Sequence, residues 1–247
     1  MRIILTRQPT QAGQIEAGLE GLGYRIGFLP LTDFQLPTDL GDLDNLITGL
    51  HQGRWDRVLF TSPNTIRALI ARGWQPALTE ARTSIAVTGP GTARVLHEHG
   101  ATRTPWMPAN DASAAGILEQ FPAGPGRLAL PQGAAAGDAM RQGLTQRGWE
   151  VSHVIAYHTV DYPALADRAL LPARDDVLAP GDVRAEDVVV LTAPSAARRW
   201  AQVGVPVAAV IAIGQPTRRA AEHHAIDLAA TATSPDAQGI AEVLTTV

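Results

Sequence analysis

The chain has no cysteine and no lysine. The first absence excludes disulfides and thiolate metal sites. The second excludes Schiff-base and lysine-nucleophile mechanisms, since all 20 basic residues are arginine. Positive charge in excess is also missing. The net charge is −4 and no basic run interrupts it, which argues against a nucleic-acid partner. No apolar run reaches the roughly 18 residues that a membrane helix needs. The start, Ile3-Ile-Leu-Thr, reads as a strand with no signal-like apolar region, so a cytoplasmic protein is expected. Gly-x-Ser-x-Gly, a full Walker loop and His-Glu-x-x-His are all absent. The histidines stand in pairs, His97-Glu-His99 and His223-His224, at the ends of expected helices. A cation there complements the helix dipole, so no metal site is expected.

What the chain does have is itself, twice. At an offset of 125, Arg2, Leu5, Leu19 and Gly23 fall on Arg127, Leu130, Leu144 and Gly148. Gly89, Thr92 and Arg94 fall on Gly214, Thr217 and Arg219, and Asp111 falls on Asp236. Asp56-Arg-Val-Leu-Phe-Thr-Ser-Pro matches Asp187-Val-Val-Val-Leu-Thr-Ala-Pro at an offset of 131. Two similar halves predict two similar lobes and a cleft between them.

Short apolar runs alternate with helical stretches. Strands are expected at Arg2–Thr6, Val58–Thr61, Ser84–Thr88, Arg127–Pro131, Val188–Thr192 and Val207–Ile213. Helices follow them, among others at Gln11–Leu22, Asn64–Arg72, Thr92–His99, Asp138–Arg147, Ser195–Gln202 and Thr217–His224. That order predicts an α/β protein with two doubly wound parallel-sheet lobes. Asp111 and Asp236 read as helix N-caps. Tyr24–Leu36 and Trp149–Tyr162 are extended and too long for one ordinary sheet strand, and they read as connectors. The expected division is 1–30 plus 163–247 for one lobe and 38–152 for the other, with 31–37 and 153–162 as a two-stranded connector. The alternative gives each repeat its own lobe, split near Ala123–Arg127.

Gly89-Pro-Gly-Thr92 and Gly214-Gln-Pro-Thr217 each follow an apolar strand. They put Thr92 and Thr217 in the first turn of a helix, at the strand edge where such sheets bind ligands. Free N–H groups there attract anions, although a plain helix cap reads equally well. Thr61-Ser62-Pro63-Asn64 and Thr192-Ala193-Pro194-Ser195 form a second pair of turns, whose hydroxyls cap a helix or bind ligand. Thr6-Arg7-Gln8-Pro9 is a third edge, matched by Gln132-Gly133. Arg7 either forks a ligand carboxylate or holds a surface salt bridge. Tyr157, inside the second connector, faces the cleft or packs between connectors.

Together these residues resemble the uroporphyrinogen-III synthase family over essentially the whole chain. The opening Ile-Leu-Thr-Arg, the Phe-Thr-Ser-Pro-Asn turn and the paired Gly-x-x-Thr helices carry the resemblance. So do the stretch from Gly148-Trp-Glu-Val to Tyr157-x-Thr159 and the C-terminal Asp-Ala-Gln-Gly-Ile helix. The resemblance implies two α/β lobes joined by a two-stranded ladder. It also implies closure of hydroxymethylbilane to uroporphyrinogen III, with inversion of the last ring, loss of water and no cofactor. Tyr157 is then the expected general acid. Arg7, Thr61, Ser62, Thr92, Gly133, Ser195 and Thr217 are the expected contacts for a linear tetrapyrrole rich in carboxylates. A monomer is expected, with transient hand-over from the preceding pathway enzyme and no nucleic-acid or membrane partner. The chain departs from the family at Gln132 (often Arg), His158 (often Arg) and Ala193 (often Ser). A non-catalytic bilobal binding protein, or an inactive paralogue of the same fold, is the alternative.

Overall fold

The computed structural model describes residues 1–245. Along the chain the strands are β1 (Arg2–Leu5), β2 (Arg25–Phe28), β3 (Thr32–Gln35), β4 (Arg57–Phe60), β5 (Ser84–Val87), β6 (Gly126–Gly133), β7 (Trp149–Asp161), β8 (Val188–Leu191), β9 (Ala209–Ala212) and β10 (Ala230–Thr231). The helices are α1 (Gln14–Gly21), α2 (Gly41–Gln52), α3 (Pro63–Ala71), α4 (Pro76–Glu80), α5 (Pro90–Glu98), α6 (Ala114–Gln120), α7 (Ala139–Gln146), α8 (Pro194–Val203), α9 (Gln215–His223) and α10 (Ala237–Leu244).

The chain divides into two compact units. Unit 1 holds residues 1–33, 160–164 and 171 onward; unit 2 holds 34–159 and 165–170.

The sheet of unit 1 runs β10-β9-β8-β1-β2, every neighbouring pair parallel. Val188, Val189, Val190 and Leu191 are all buried, as expected of a central strand covered on both faces. Alternation sends them opposite ways. Ile3, Leu5, Val188 and Val190 pack with Leu19 of α1 and Ile240 of α10. Ile4, Val189 and Leu191 pack with Trp200 of α8 and Ala221 of α9.

The second sheet runs β3-β7-β6-β4-β5, parallel from β7 to β5. Val58, Phe60 and Val87 meet α2, α3 and α5 through Leu46, Ile66 and Val95. Leu59, Ala86, Leu128 and Leu130 meet α6 and α7 through Ile117 and Leu144.

Each sheet draws strands from both sequence repeats. Ile3 lies opposite Val188, and its repeat equivalent Leu128 lies opposite Arg57, the equivalent of Val188. The helix pairs repeat too. A Cβ on Gly18 of α1 would sit 2.5 Å from Ala237 of α10, and one on Gly143 of α7 would sit 2.5 Å from Leu118 of α6. A side chain at Gly18 would press on the Ala237 Cβ and force α1 and α10 apart, and one at Gly143 would displace the Leu118 side chain.

Three expectations need correction. The stretch Tyr24–Leu36 is not one extended segment: it breaks at Pro30, which lacks the N–H a strand interior needs, into β2 and β3, which fall in different sheets. Trp149–Asp161, by contrast, is one 13-residue strand. Finally, Asp111 is not the cap of α6. Ser113 caps it, accepting the Gly116 amide at 3.2 Å, while Asp111 accepts the Ser113 hydroxyl at 2.6 Å. Asp236 does cap α10, accepting the Gly239 amide at 2.8 Å. Ser113 is therefore the equivalent of Asp236, and the two repeats are offset by 123 there.

Candidate functional site

Unit 2 brings several of the singled-out residues together at the carboxyl edge of its sheet. Ser62, two residues beyond β4, is extended and caps α3, accepting the Asn64 amide at 3.2 Å. Pro63 follows at the first helical position, where its missing N–H costs nothing. The phenol of Tyr157 donates to the same Ser62 oxygen at 3.3 Å. Its ring packs edge-on against Phe34, centroids 5.8 Å apart.

A bulge aims that ring. Along β6 and β7 the register runs Leu130 to His153 and Gln132 to Ile155, then jumps so that Gly133 meets Tyr157. The slipped residue lets Ala156 and Tyr157, neighbours in sequence, both pack on the same core cluster. Gly133 is required beneath the ring. A Cβ there would lie 2.7 Å from Tyr157 Cζ and 2.9 Å from its hydroxyl oxygen.

Gln132 is 4% exposed. Its amide Nε2 donates to Thr61 Oγ1 at 3.4 Å, and its Oε1 is buried with no partner among the described residues. An unpaired buried acceptor costs about 1–3 kcal/mol. Thr61, Thr88, Gln132, Ala114 and Met140 line a cavity of about 270 Å³. Thr92 is not part of this group. It is the third residue of α5, 5% exposed, and the cap position belongs to Gly89.

Unit 1 carries the matching turns in a closed state. Thr6 Oγ1 sits 3.1 Å from the Val190 carbonyl, which it donates to, and 3.3 Å from Thr192 Oγ1. It also accepts the Thr192 amide at 3.0 Å. Arg7 forks onto the buried carboxylate of Glu16 through Nε (2.8 Å) and Nη2 (2.7 Å), and Glu16 also accepts the Gly13 amide at 2.8 Å. Gln8 donates to Asp33, whose other oxygen accepts the Ala164 amide at 2.9 Å. Ser195 lies in the first turn of α8 but does not cap it; Ala193 holds that position without a side-chain bond. Thr217, 2% exposed, is the third residue of α9, capped by Gly214.

Spacing did not point to Glu16 as the partner of Arg7, to the Thr6–Thr192 pair or to the orphaned oxygen of Gln132. The available signal for Glu16 was an acidic residue in the first turn of the helix that follows Arg7. Among the described residues, no three His, Cys, Asp or Glu side chains form a group able to hold a metal ion. Among the same residues, no helix is long and apolar enough to cross a membrane.

Comparison with known proteins follows the same direction. The family model described as Uroporphyrinogen-III synthase HemD matches residues 13–242. Chloroplastic uroporphyrinogen-III synthase of Oryza sativa subsp. japonica is 28% identical over 97% of this chain and 78% of its own. A putative uroporphyrinogen-III synthase of Methanothermobacter thermautotrophicus is 36% identical over 41% of this chain and 42% of its own. Among solved structures, a mutant uroporphyrinogen III synthase from the extreme thermophile Thermus thermophilus superposes with a TM-score of 0.58 at 18% identity, covering 100% of this chain and 99% of that one. Uroporphyrinogen-III synthetase from Helicobacter pylori 26695 superposes with a TM-score of 0.62 at 14% identity, covering 100% and 99%. The structural likenesses speak for the fold, two parallel-sheet α/β units. The family model spans nearly the whole chain, and on it the chain belongs to the uroporphyrinogen-III synthase family, the cyclising hydro-lyases of tetrapyrrole biosynthesis.

Proposed function

We propose that the chain closes hydroxymethylbilane to uroporphyrinogen III, with inversion of the last ring, and that Tyr157 is its general acid. The observation that supports this most is the Tyr157 phenol on Ser62, held over Gly133 at the edge of unit 2. The phenol gives its proton to the terminal hydroxyl of the substrate, which leaves as water. The methylene carbon left behind is cationic and bonds to the last ring at the ring carbon that already carries the bridge from the third ring. That bridge bond breaks and re-forms at the free α-carbon of the same ring, which inverts the ring, and the proton lost from that α-carbon restores the phenol. A phenol is a modest general acid. Most of the acceleration therefore comes from holding a flexible chain in a productive fold.

The substrate is rich in carboxylates, and a protein of net charge −4 cannot attract it at long range. Local donors do the work. In unit 2 we assign contacts to Thr61, Ser62, Thr92 and the Gly133 backbone. In unit 1 we assign them to Arg7, Ser195 and Thr217. Arg7 Nη1 has no protein acceptor among the described residues, which leaves one edge of the guanidinium for a carboxylate. We assign the activity to the cytoplasm and to a monomer that takes its substrate by transient hand-over from the preceding pathway enzyme.

The test is direct. Purified protein is mixed with freshly made hydroxymethylbilane, and the porphyrin isomers are separated after oxidation. Isomer III is expected. Isomer I alone, the product of spontaneous closure, would return the chain to a non-catalytic role.

A further inference from the structure

At the amino edge of unit 1, two of the three arginines that line the cavity there, Arg2 and Arg184 but not Arg25, have carboxylate partners among the described residues. Arg2 forks onto Asp187 at 3.0 and 2.5 Å, and Arg184 reaches Glu186 at 3.9 Å. The amino edge of unit 2 is built differently. Arg57, Arg82 and Arg103 line one cavity of about 340 Å³ where β4 and β5 begin. None of the three has a carboxylate oxygen within 4.0 Å among the described residues.

The stems are nonetheless fixed. The Arg57 guanidinium lies 5.9 Å from the ring centroids of both Phe121 and Trp149. The Arg82 stem lies on Gly53, where an added Cβ would come within 2.8 Å of it. Arg103 Nη1 donates to the Glu80 carbonyl at 2.7 Å. Nearby carboxylates are committed elsewhere. Glu80 accepts from the Thr102 amide (3.0 Å), the Thr102 hydroxyl (2.5 Å) and the Arg103 amide (3.2 Å). Asp56 accepts the Arg127 amide at 2.7 Å. Trp106 and Ile85 give the same cavity an apolar wall.

Three positioned guanidiniums against one lining carboxylate, that of Glu80, leave an excess of positive charge that makes a receptor for oxyanions, because each fork matches a carboxylate or phosphate edge. We propose that this cavity binds a small molecule bearing at least two oxyanion groups, at a site separate from the Tyr157 edge. Calorimetric titration of the full chain with inorganic pyrophosphate, and separately with citrate, tests it. At least one probe is expected to fill one saturable site. Tighter binding of pyrophosphate assigns a phosphate ligand, and tighter binding of citrate a polycarboxylate. Arg82→Gln should weaken that binding at least tenfold and Arg82→Gln/Arg103→Gln further, with ring closure unchanged. The Arg82 head holds no partner among the described residues, so the single variant keeps its fold. No saturable binding of either probe at millimolar concentration overturns the proposal. So does affinity that Arg82→Gln leaves unchanged, and so does a fall in ring closure, which would put these arginines in the reaction instead.

Discussion

After β1, the side chains of Thr6, Arg7 and Gln8 are bonded to Thr192, Glu16 and Asp33. At the equivalent end of β6 stand Pro131, Gln132 and Gly133. Proline has no hydroxyl to give, so Thr61, the equivalent of Thr192, receives the Gln132 amide instead. Glycine leaves empty the space that the Gln8 side chain fills in unit 1, and the Tyr157 ring takes it. Gln132 replaces a paired arginine and keeps one acceptor unmet. At these three positions the same fold element is thus bonded through its side chains in unit 1 and left with an unmet acceptor in unit 2, although the Thr10 hydroxyl in the following turn of unit 1 is also buried with no partner among the described residues. Unmet polar groups weaken a fold, and they persist where something else uses them.

Removing a partner on the closed side should cost most. Glu16→Ala strands three donors, two on Arg7 and the Gly13 amide, and we expect a loss of about 3 kcal/mol in urea unfolding. A loss under about 0.5 kcal/mol would mean that the joint is held by other contacts. On the open side, Tyr157→Phe should lower turnover roughly 10- to 100-fold. The hydrogen bond removed is long, so stability should fall by less than about 1 kcal/mol. An unchanged rate would make the phenol structural.

The amino edges extend the contrast. The Arg2 fork holds the Asp187 carboxyl below the usual aspartate range, and the Arg184 amide adds to this against the upward push of burial. A depressed carboxyl stabilises the fold fully above the unfolded pKa of about 3.9, and that share is lost as pH falls through the lower folded value. Asp187→Asn should therefore cost about 2 kcal/mol at neutral pH. Its deficit against the unaltered chain should shrink below about pH 4. A constant deficit down to pH 2 would refute the assignment.

Gly133→Ala should displace the phenol and lower kcat about tenfold while the melting temperature stays nearly fixed. A rate unchanged by the added methyl would separate the phenol's position from its role. The smallest effect is expected at the orphan acceptor. Gln132→Leu should raise stability by about 1 kcal/mol, because the unmet oxygen disappears with little lost in return. A decrease would show that the Gln132–Thr61 contact outweighs the orphan.

The fold class was readable because a central parallel strand must be apolar on both faces. Val188-Val-Val-Leu and Val58-Leu-Phe stand out from the helical patterns around them for that reason. The edges were harder to read. Serine and aspartate both cap helices, so the equivalence of Ser113 with Asp236 hid behind a better-looking match of two aspartates. Pro9–Gln11 forms a 3-10 turn that delays α1 to Gln14, and this places Glu16 in its first turn, against Arg7. The meeting of Tyr157, Gly133 and Ser62 depends on a one-residue slip between two strands. Register is a property of pairing, which spacing along one strand does not encode.

Drawing each sheet from both repeats sets an order on folding. Residues 34–159 of unit 2 are continuous, and its last segment ends at residue 170. Unit 1 instead needs Ile3 to meet Val188. A chain emerging from the ribosome can complete unit 2 first, while β1, α1 and β2 wait for strands still to be synthesised. Those early elements have only a two-stranded sheet edge and one helix to shelter them, and closing so long a loop is slow. The N-terminal segment is thus the part of the newborn protein most exposed to misassembly, although in the mature form its Thr6, Arg7 and Gln8 side chains are all bonded.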